Sequence, residues 1–291
     1  QLFSDYSRST LQSWLKSGYI QINQAQVKAK DKAQAHALVV VDAPVTVVHE
    51  DQAQAIDLDK VYEDEYLMVL NKPAGLTVHP GAGNPDGTLL NALLHNHHEA
   101  KNLNRAGIVH RLDKDTSGLM VVAKEYKTQF KLAKMIEKRQ VKRQYIAFVC
   151  GVMTAGRTIE APILRHHKER TKMAIGHDGK PATTHLRVLA KYHAHSKIQA
   201  TLESGRTHQI RVHLAHIHYP IIGDKTYNKR LAIPKGTSEN LVAALKSQHK
   251  QALHAYHLSF THPITNENLD FEVPLPKDLL KLEEALQEKN A

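Results

Sequence analysis

The chain has 291 residues, of which 42% are hydrophobic and 23% are charged. These proportions are typical of globular proteins and exclude an intrinsically disordered chain. The apolar runs are far shorter than the roughly 20 residues of a membrane-spanning helix. Lys and Arg number 39 against 29 Asp and Glu, and the formal net charge of +10 indicates an anionic partner. Nucleic acid is the leading candidate, because Lys and Arg contacts to phosphate supply most sequence-independent affinity.

The single cysteine, Cys150, excludes an internal disulfide and favours a reducing, cytoplasmic setting. No signal peptide is evident in the sequence. The length predicts two domains.

The N-terminal segment predicts a small α/β unit. A helix that carries Trp14 and Leu15 on its apolar side ends at Gly18, and short strands are expected over 19–22 and 37–41. This helix, strand and basic loop resemble the small RNA-binding module named after ribosomal protein S4, without the usual opening helix of that module. We therefore expect an RNA-binding unit at this end of the chain.

The domain boundary is predicted in the polar stretch 44–57, which has no amphipathic period and is typical of a linker. Residues 1–50 are expected to hold the partial S4-like module with its linker, and residues 57–291 a larger catalytic domain. Because the chain begins at Gln1 rather than Met, we expect the module to lack its true start.

The larger domain combines many strands with few helices. This order favours an α+β fold with a mostly antiparallel sheet over a doubly wound parallel fold. The predicted strands are 66–70, 119–123, 144–149, 184–189, 198–202 and 253–260, and the predicted helices are 88–95, 127–139, 206–216, 240–247 and 277–289.

A glycine-rich loop over 81–87 precedes one of these helices. Its spacing does not match G-x-G-x-x-G, and no Lys-Ser/Thr follows its last glycine, so neither a dinucleotide fold nor a P-loop is supported. Backbone contact with phosphate and a simple tight turn both remain open for this loop.

The most informative segment is 105–124. Its His-Arg-Leu-Asp run superficially matches a kinase catalytic loop, but the companion D-F-G triplet and glycine loop are absent. Asp113 and Asp115 also fall at the first and third positions of a calcium loop. Position 12 would then be Lys124, where a bidentate Glu is required, so calcium is excluded.

Residues 110–118 read His-Arg-Leu-Asp-Lys-Asp-Thr-Ser-Gly and resemble the signature of the RluA family of pseudouridine synthases. The resemblance continues in family order through 142–145, 204–213, 220–224 and 251–255. It departs at Asn228, where Gly is more frequent, a difference that affects a turn. The resemblance implies a pseudouridine synthase catalytic domain that isomerises uridine to pseudouridine in 23S ribosomal RNA or the large-subunit precursor.

The resemblance also implies three catalytic residues. Asp113 is the essential carboxylate beside the sugar, Arg211 pairs with it through a two-pronged contact, and Tyr145 stacks on the target base and assists removal of the C5 proton. Residue types leave open whether Asp113 attacks C1′, adds to C6 or draws a proton from C2′.

A base within a stem is unreachable, so the target uridine must leave its stack. The resemblance implies that Arg111 inserts in its place, that His110 holds the loop and that Ile210 walls the uracil pocket. Basic residues over 165–172, with three near 230, are expected to meet phosphate. The predicted RNA-binding residues are Arg111, His110, Thr116, Arg206, Ile210 and Lys172, and the further basic residues are Lys229, Arg230 and Lys235.

No cofactor and no metal are expected, because the isomerisation exchanges no electrons and the histidines lack zinc spacing. His213, His216 and His218 are expected to be structural or to face RNA. Two other functions stay open: the same chemistry on other ribosomal or transfer RNA sites, and a non-catalytic ribosome-assembly factor that binds RNA. We expect a monomer with no membrane partner.

Overall fold

The structure is a computed structural model that describes residues 8–31, 35–43, 51–81, 83–228, 233 and 236–288. The chain divides into two compact units, 1–50 and 51–291. The predicted phosphate contacts at Lys229, Arg230 and Lys235 lie outside the described residues. None of the described helices is long and apolar enough to cross a membrane.

The first unit contains one helix and a small antiparallel sheet. Helix α1 (Arg8–Ser17) ends at Gly18, whose φ of 80° is the left-handed conformation that terminates helices. Strands β1 (Ile20–Ile22), β2 (Ala25–Gln26) and β3 (Val39–Val41) pair in the order β2-β1-β3. The predicted helix and two predicted strands are confirmed.

The second unit is built on one large sheet with helices around it. Its helices are α2 (Leu89–Asn96), α3 (Tyr126–Glu137), α4 (Gln209–His216), α5 (Glu239–Ser247) and α6 (Lys277–Gln287). Its strands are β4 (Lys60–Glu63), β5 (Leu67–Lys72), β6 (Ser117–Ala123), β7 (Lys142–Cys150), β8 (Arg157–Glu160), β9 (Ile163–Arg165), β10 (Met173–Ile175), β11 (Thr183–Lys191), β12 (His195–Leu202), β13 (Leu253–Thr261) and β14 (Asn268–Glu272).

The large sheet runs β4-β5-β6-β13-β7-β12-β11-β8, with β14 paired to β13, while β9 and β10 form a separate pair. The pairing of β6 with β13 is parallel, and the other pairings described in the sheet are antiparallel. The predicted α+β class with a mostly antiparallel, mixed sheet is therefore confirmed.

Strands β5 and β6 carry the apolar runs 67–70 and 119–123 because both faces of the sheet are covered there. Met68 and Leu70 pack into one core cluster, and Leu67 and Val69 pack into a second one. Alternate side chains of a strand point to opposite faces, so each strand contributes to both clusters. This rigid centre of the sheet holds the loop that precedes β6.

Gly118, at the start of β6, permits the close approach of β13. Its φ is 113°, and a Cβ atom there would lie 2.2 Å from the carbonyl oxygen of Ala255. Any other residue would therefore force the two strands apart. On the next residue back, Ser117 Oγ lies 2.8 Å from His254 Nδ1, which ties the loop to β13.

The predicted strands and helices of the second unit are found, with bounds shifted by a few residues. Helix α4 begins at Gln209 rather than at 206, because His208 adopts a left-handed φ of 56°. The Gln209 side chain accepts the Arg206 N–H at 3.0 Å and thereby closes the preceding loop. The short strands β4, β8, β9, β10 and β14 were not predicted.

Candidate active site

Asp113 lies on the loop that leads into β6. Leu112 before it is buried, and the Asp113 carbonyl accepts the Thr116 N–H at 3.1 Å, which closes a tight turn. The side chain of Asp113 is 16% exposed and faces a cavity of about 610 Å³. The turn therefore presents the carboxylate from a fixed backbone.

Arg211 joins Asp113 to a second carboxylate. Its Nη1 donates to Asp113 Oδ2 at 2.9 Å, while Nε and Nη2 donate to the two oxygens of Asp224 at 2.7 and 2.9 Å. Burial disfavours the charge, but Asp224 and Asp113 outweigh burial and raise the pKa of Arg211 above its ordinary value. The prediction that Arg211 pairs with Asp113 agrees with this geometry. The expected two-pronged contact with Asp113 is wrong, because Nε and Nη2 bind Asp224 and Nη1 alone binds Asp113.

Asp224 is a site residue that sequence reasoning missed. It is fully buried, and its Oδ1 also accepts the backbone N–H groups of Thr226 and Tyr227 at 2.9 and 3.2 Å. The available signal was an acidic residue directly after the apolar pair Ile221 and Ile222 and the turn at Gly223. A buried carboxylate in such a place needs a cation, and Arg211 supplies it.

His208 is a further neighbour of Asp113. Its Nε2 lies 3.9 Å from Asp113 Oδ2, and its Nδ1 lies 2.9 Å from the Tyr227 hydroxyl. That hydroxyl also accepts the Met173 N–H at 2.8 Å. Burial lowers the pKa of His208, so the ring beside Asp113 is neutral at physiological pH.

Tyr145 lines the cavity from β7 and is 6% exposed. Burial raises the pKa of its phenol, so the group is neutral at physiological pH. Ile210 and Leu253, both buried, line the same cavity. The cavity thus has an aromatic and aliphatic wall beside a carboxylate.

His110 fastens the loop to the sheet. Its Nε2 accepts the backbone N–H of Val121 at 3.0 Å, which leaves the ring proton on Nδ1. Burial, with a smaller effect of Arg143, lowers the pKa of His110 to about 3. A ring with so low a pKa is neutral at pH 7, and its hydrogen bond agrees with the expected loop-holding role.

Most of the predicted site residues meet in this one cavity. Thr116 is buried and accepts a hydrogen bond from Gln251 Nε2 at 3.1 Å, so it supports the turn from within. The exposed Arg206 donates through Nε to the Pro181 carbonyl at 3.3 Å. The predicted residues that line the cavity are His110, Arg111, Asp113, Thr116, Tyr145, Arg206, Ile210 and Arg211.

Lys172 is the exception among the predicted residues. It lines a neighbouring hollow together with Tyr227 and His216, and its Nζ donates to Glu169 at 2.7 Å. The structure therefore does not bring Lys172 into the cavity that contains Asp113.

His213, one of the three histidines on and just after α4, serves the fold. His213 is buried, with Nδ1 2.9 Å from the Thr184 hydroxyl and Nε2 3.0 Å from the Ala161 carbonyl oxygen. Among the described residues, no group of three or more His, Cys, Asp or Glu side chains could hold a metal ion. These contacts account for His213 without a ligand.

Comparison with known proteins decides the family. The family model described as RNA pseudouridylate synthase matches residues 66–216, more than half of the chain. The chain belongs to this family. Ribosomal large subunit pseudouridine synthase D of Yersinia pestis is 47% identical over 288 residues, which cover 99% of this chain and 89% of that protein. The protein of the same name from Pseudomonas aeruginosa is 49% identical over 282 residues, which cover 97% and 88%.

Solved structures of the family share the fold. Human RNA Pseudouridylate Synthase Domain Containing 4 matches with a TM-score of 0.61 and 25% identity over 78% of this chain and 92% of that chain. Human RNA Pseudouridylate Synthase Domain Containing 1 gives a TM-score of 0.59 and 26% identity over 80% and 89%.

The protein is thus an RNA pseudouridine synthase, an isomerase, as the motif at 110–118 predicted. Within the family, the sequence over 166–180 and 234–238 resembles ribosomal large subunit pseudouridine synthase D, known as RluD. This prediction is confirmed by the relatives that carry that name.

Proposed function

We propose that this synthase converts specific uridines of 23S ribosomal RNA to pseudouridine, acting on the large ribosomal subunit or its precursor. Relatives at 47% and 49% identity are named for the ribosomal large subunit, which supports this substrate. The net charge of +10 suits a polyanionic partner. A ribosomal substrate places the reaction in the cytoplasm, and we propose that the enzyme acts as a monomer.

The main support for the proposal is the clamp on Asp113, by which we mean the ion pair of Asp113 with Arg211 and of Arg211 with Asp224. Arg211 holds Asp113 Oδ2 at 2.9 Å and is itself fixed by the fully buried Asp224. A guanidinium beside the carboxylate favours its ionised form when a substrate excludes water. Since Oδ2 is occupied, Asp113 Oδ1 is the oxygen that we assign to the nucleoside.

The cavity suits a flipped pyrimidine nucleoside. A volume of about 610 Å³ lies within the usual range of small-molecule pockets, roughly 300 to 1,000 Å³. Tyr145 provides a ring for stacking, and Ile210 and Leu253 provide apolar contacts for the base edge. Arg111 is exposed at the edge of the same cavity. From there its side chain inserts into the RNA and fills the space that the flipped base leaves in the stack.

The reaction breaks the N1–C1′ bond, rotates the base and forms the C5–C1′ bond, with the C5 proton lost to solvent and N1 protonated. Tyr145 is a neutral phenol because its pKa is raised. We therefore assign it stacking and a proton relay at C5, in which the hydroxyl oxygen accepts the C5 proton as the hydroxyl passes its own proton to solvent water, so that no phenolate is required.

We also propose that the unit 1–50 is a partial S4-like RNA-binding module that adds contacts outside the catalytic domain of 57–291. Its helix α1, followed by the antiparallel strands β1, β2 and β3, supports this assignment. Basic residues over 165–172, including Lys172, are proposed to meet RNA phosphate outside the cavity.

Tritium release from C5-labelled large-subunit ribosomal RNA tests the proposal. Wild-type protein should release tritium, Asp113→Asn should release none while still binding RNA, and Asp270→Asn, at an exposed position on β14, should match wild type. If wild type and Asp113→Asn are both silent while both bind RNA, the chain is instead an RNA-binding assembly factor. Tritium release by Asp113→Asn would reject the role of Asp113.

A further inference from the structure

A buried arginine with unpaired donors faces the active-site cavity. Arg143 lies on β7, is 5% exposed and lines the same cavity as Asp113. Its Nε and Nη2 atoms are buried, and the described residues offer them no hydrogen-bond partner. Buried charged donors without partners oppose folding, so an unpaired guanidinium is retained where a ligand completes it.

The position of Arg143 is set by the strand and by a glycine. Arg143 and Tyr145 are two residues apart on β7, so both point to the same face of the sheet, into the cavity. The backbone of Gly205 lies against the guanidinium, since a Cβ there would be 2.8 Å from Arg143 Nη1. The guanidinium therefore lies against the loop that precedes α4, on the same face of the sheet as the proposed base-stacking ring.

Arg211 shows what the Nε and Nη2 donors of a guanidinium bind in this protein. Its Nε and Nη2 atoms hold the two oxygens of Asp224. The same two atoms of Arg143 lack a partner in the described part of the chain. Two parallel N–H donors fit the two non-bridging oxygens of a phosphodiester, whereas a uracil carbonyl offers a single oxygen.

The charge of the cavity points to the same ligand. Among the described residues, its lining has six arginines against three acidic residues. Two of those acids are already engaged, Asp113 with Arg211 and Glu203 with Arg139. The surplus of positive charge is available to a polyanionic backbone.

We infer that Arg143 binds a phosphodiester directly beside the flipped uridine, as a binding residue in addition to Arg111 and Arg206. This inference rests on the proposed function, because it places the target nucleotide in the cavity of Asp113. The contact anchors the nucleotide through its backbone, and the base is left to Tyr145 and Ile210.

The test combines one substitution with neutral phosphate analogues. The probe is a stem-loop of large-subunit ribosomal RNA that contains a uridine that the enzyme converts. Its backbone is either all phosphodiester or carries one methylphosphonate on the 5′ or the 3′ side of that uridine. Wild type, Arg143→Gln and the control Arg187→Gln, an exposed arginine on β11, are compared by equilibrium binding across salt concentrations and by thermal unfolding.

For Arg143→Gln we expect about tenfold weaker binding and a salt slope smaller by about 1. One of the two methylphosphonates should weaken wild type and Arg187→Gln by a similar factor, with no further effect on Arg143→Gln. The melting temperature of free Arg143→Gln should stay equal or rise, because an unpaired buried charge is removed.

Wild-type affinity in Arg143→Gln would overturn the inference, as would methylphosphonate losses of equal size in wild type and the variant. A lowered melting temperature would assign Arg143 to the fold instead. These binding measurements need no turnover. If the methylphosphonate effect holds while wild type releases no tritium, the phosphate site stands and the proposed function fails; the reverse pattern rejects the phosphate site alone.

Discussion

Arg211 and Asp224 form a buried two-pronged ion pair, with Nε–Oδ2 and Nη2–Oδ1 distances of 2.7 and 2.9 Å. This pair fixes the remaining guanidinium nitrogen 2.9 Å from Asp113. Asp224 thus acts on the proposed reacting carboxylate through Arg211, as a positioning residue.

Asp224→Asn should lower kcat by about 100-fold, because an amide nitrogen would oppose the guanidinium and misplace the donor on Asp113. It should also lower the free energy of unfolding, by about 3 to 5 kcal/mol if the buried charge of Arg211 loses its main partner. Single-turnover tritium release and chemical denaturation measure the two effects. An Asp224→Asn protein with wild-type kcat would show that the clamp has no role in the reaction.

Arg211→Lys tests the shape of the cation rather than its charge. A lysine ammonium is a single point charge and cannot hold Asp224 with a fork while also binding Asp113. We expect the variant to fold and bind RNA but to lose at least about 100-fold in kcat. Wild-type turnover in Arg211→Lys would mean that positive charge alone is sufficient.

Two substitutions of Tyr145 distinguish base stacking by its ring from the chemistry of its hydroxyl. Tyr145→Phe keeps the ring, so RNA affinity should change by less than about threefold while turnover falls, whereas Tyr145→Ala should weaken binding by about tenfold or more through lost stacking. Filter binding and single-turnover kinetics give both quantities. Full turnover in Tyr145→Phe would remove the hydroxyl from the mechanism.

The stability of the folded chain should depend on pH through His110. Its pKa is about 3 when folded and near its ordinary value of 6.5 when unfolded. Between these values the unfolded chain binds the extra proton, so the contribution is fully present above pH 6.5 and is lost as pH falls toward 3.

His110→Gln removes this titration and leaves an acceptor for the Val121 N–H. From pH 6.5 to pH 5, wild type should lose about 1.5 kcal/mol more unfolding free energy than His110→Gln. Urea denaturation at the two pH values measures the difference. Equal losses in the two proteins would show that His110 is not held neutral by the fold.

The sequence predicted the sheet and the centre of the site, because long apolar strands and the motif around Asp113 are local signals. It did not predict β14 or β8, since such short strands with mixed burial are recognised only through their pairing partners. Asp224 was missed as a site residue because its role comes from Arg211 on α4, and the local pattern at 220–224 does not identify that partner. The buried position of Arg143 was not predicted for a similar reason, because it depends on the distant loop at Gly205.

The proposed reaction and the role of Asp113 are tested together by mapping pseudouridines in ribosomal RNA from cells that lack this gene, complemented with wild type or Asp113→Asn. We expect specific large-subunit pseudouridines to disappear in the deletion, to return with wild type and to stay absent with Asp113→Asn. Unchanged large-subunit pseudouridines in the deletion, or their return with Asp113→Asn, would contradict it.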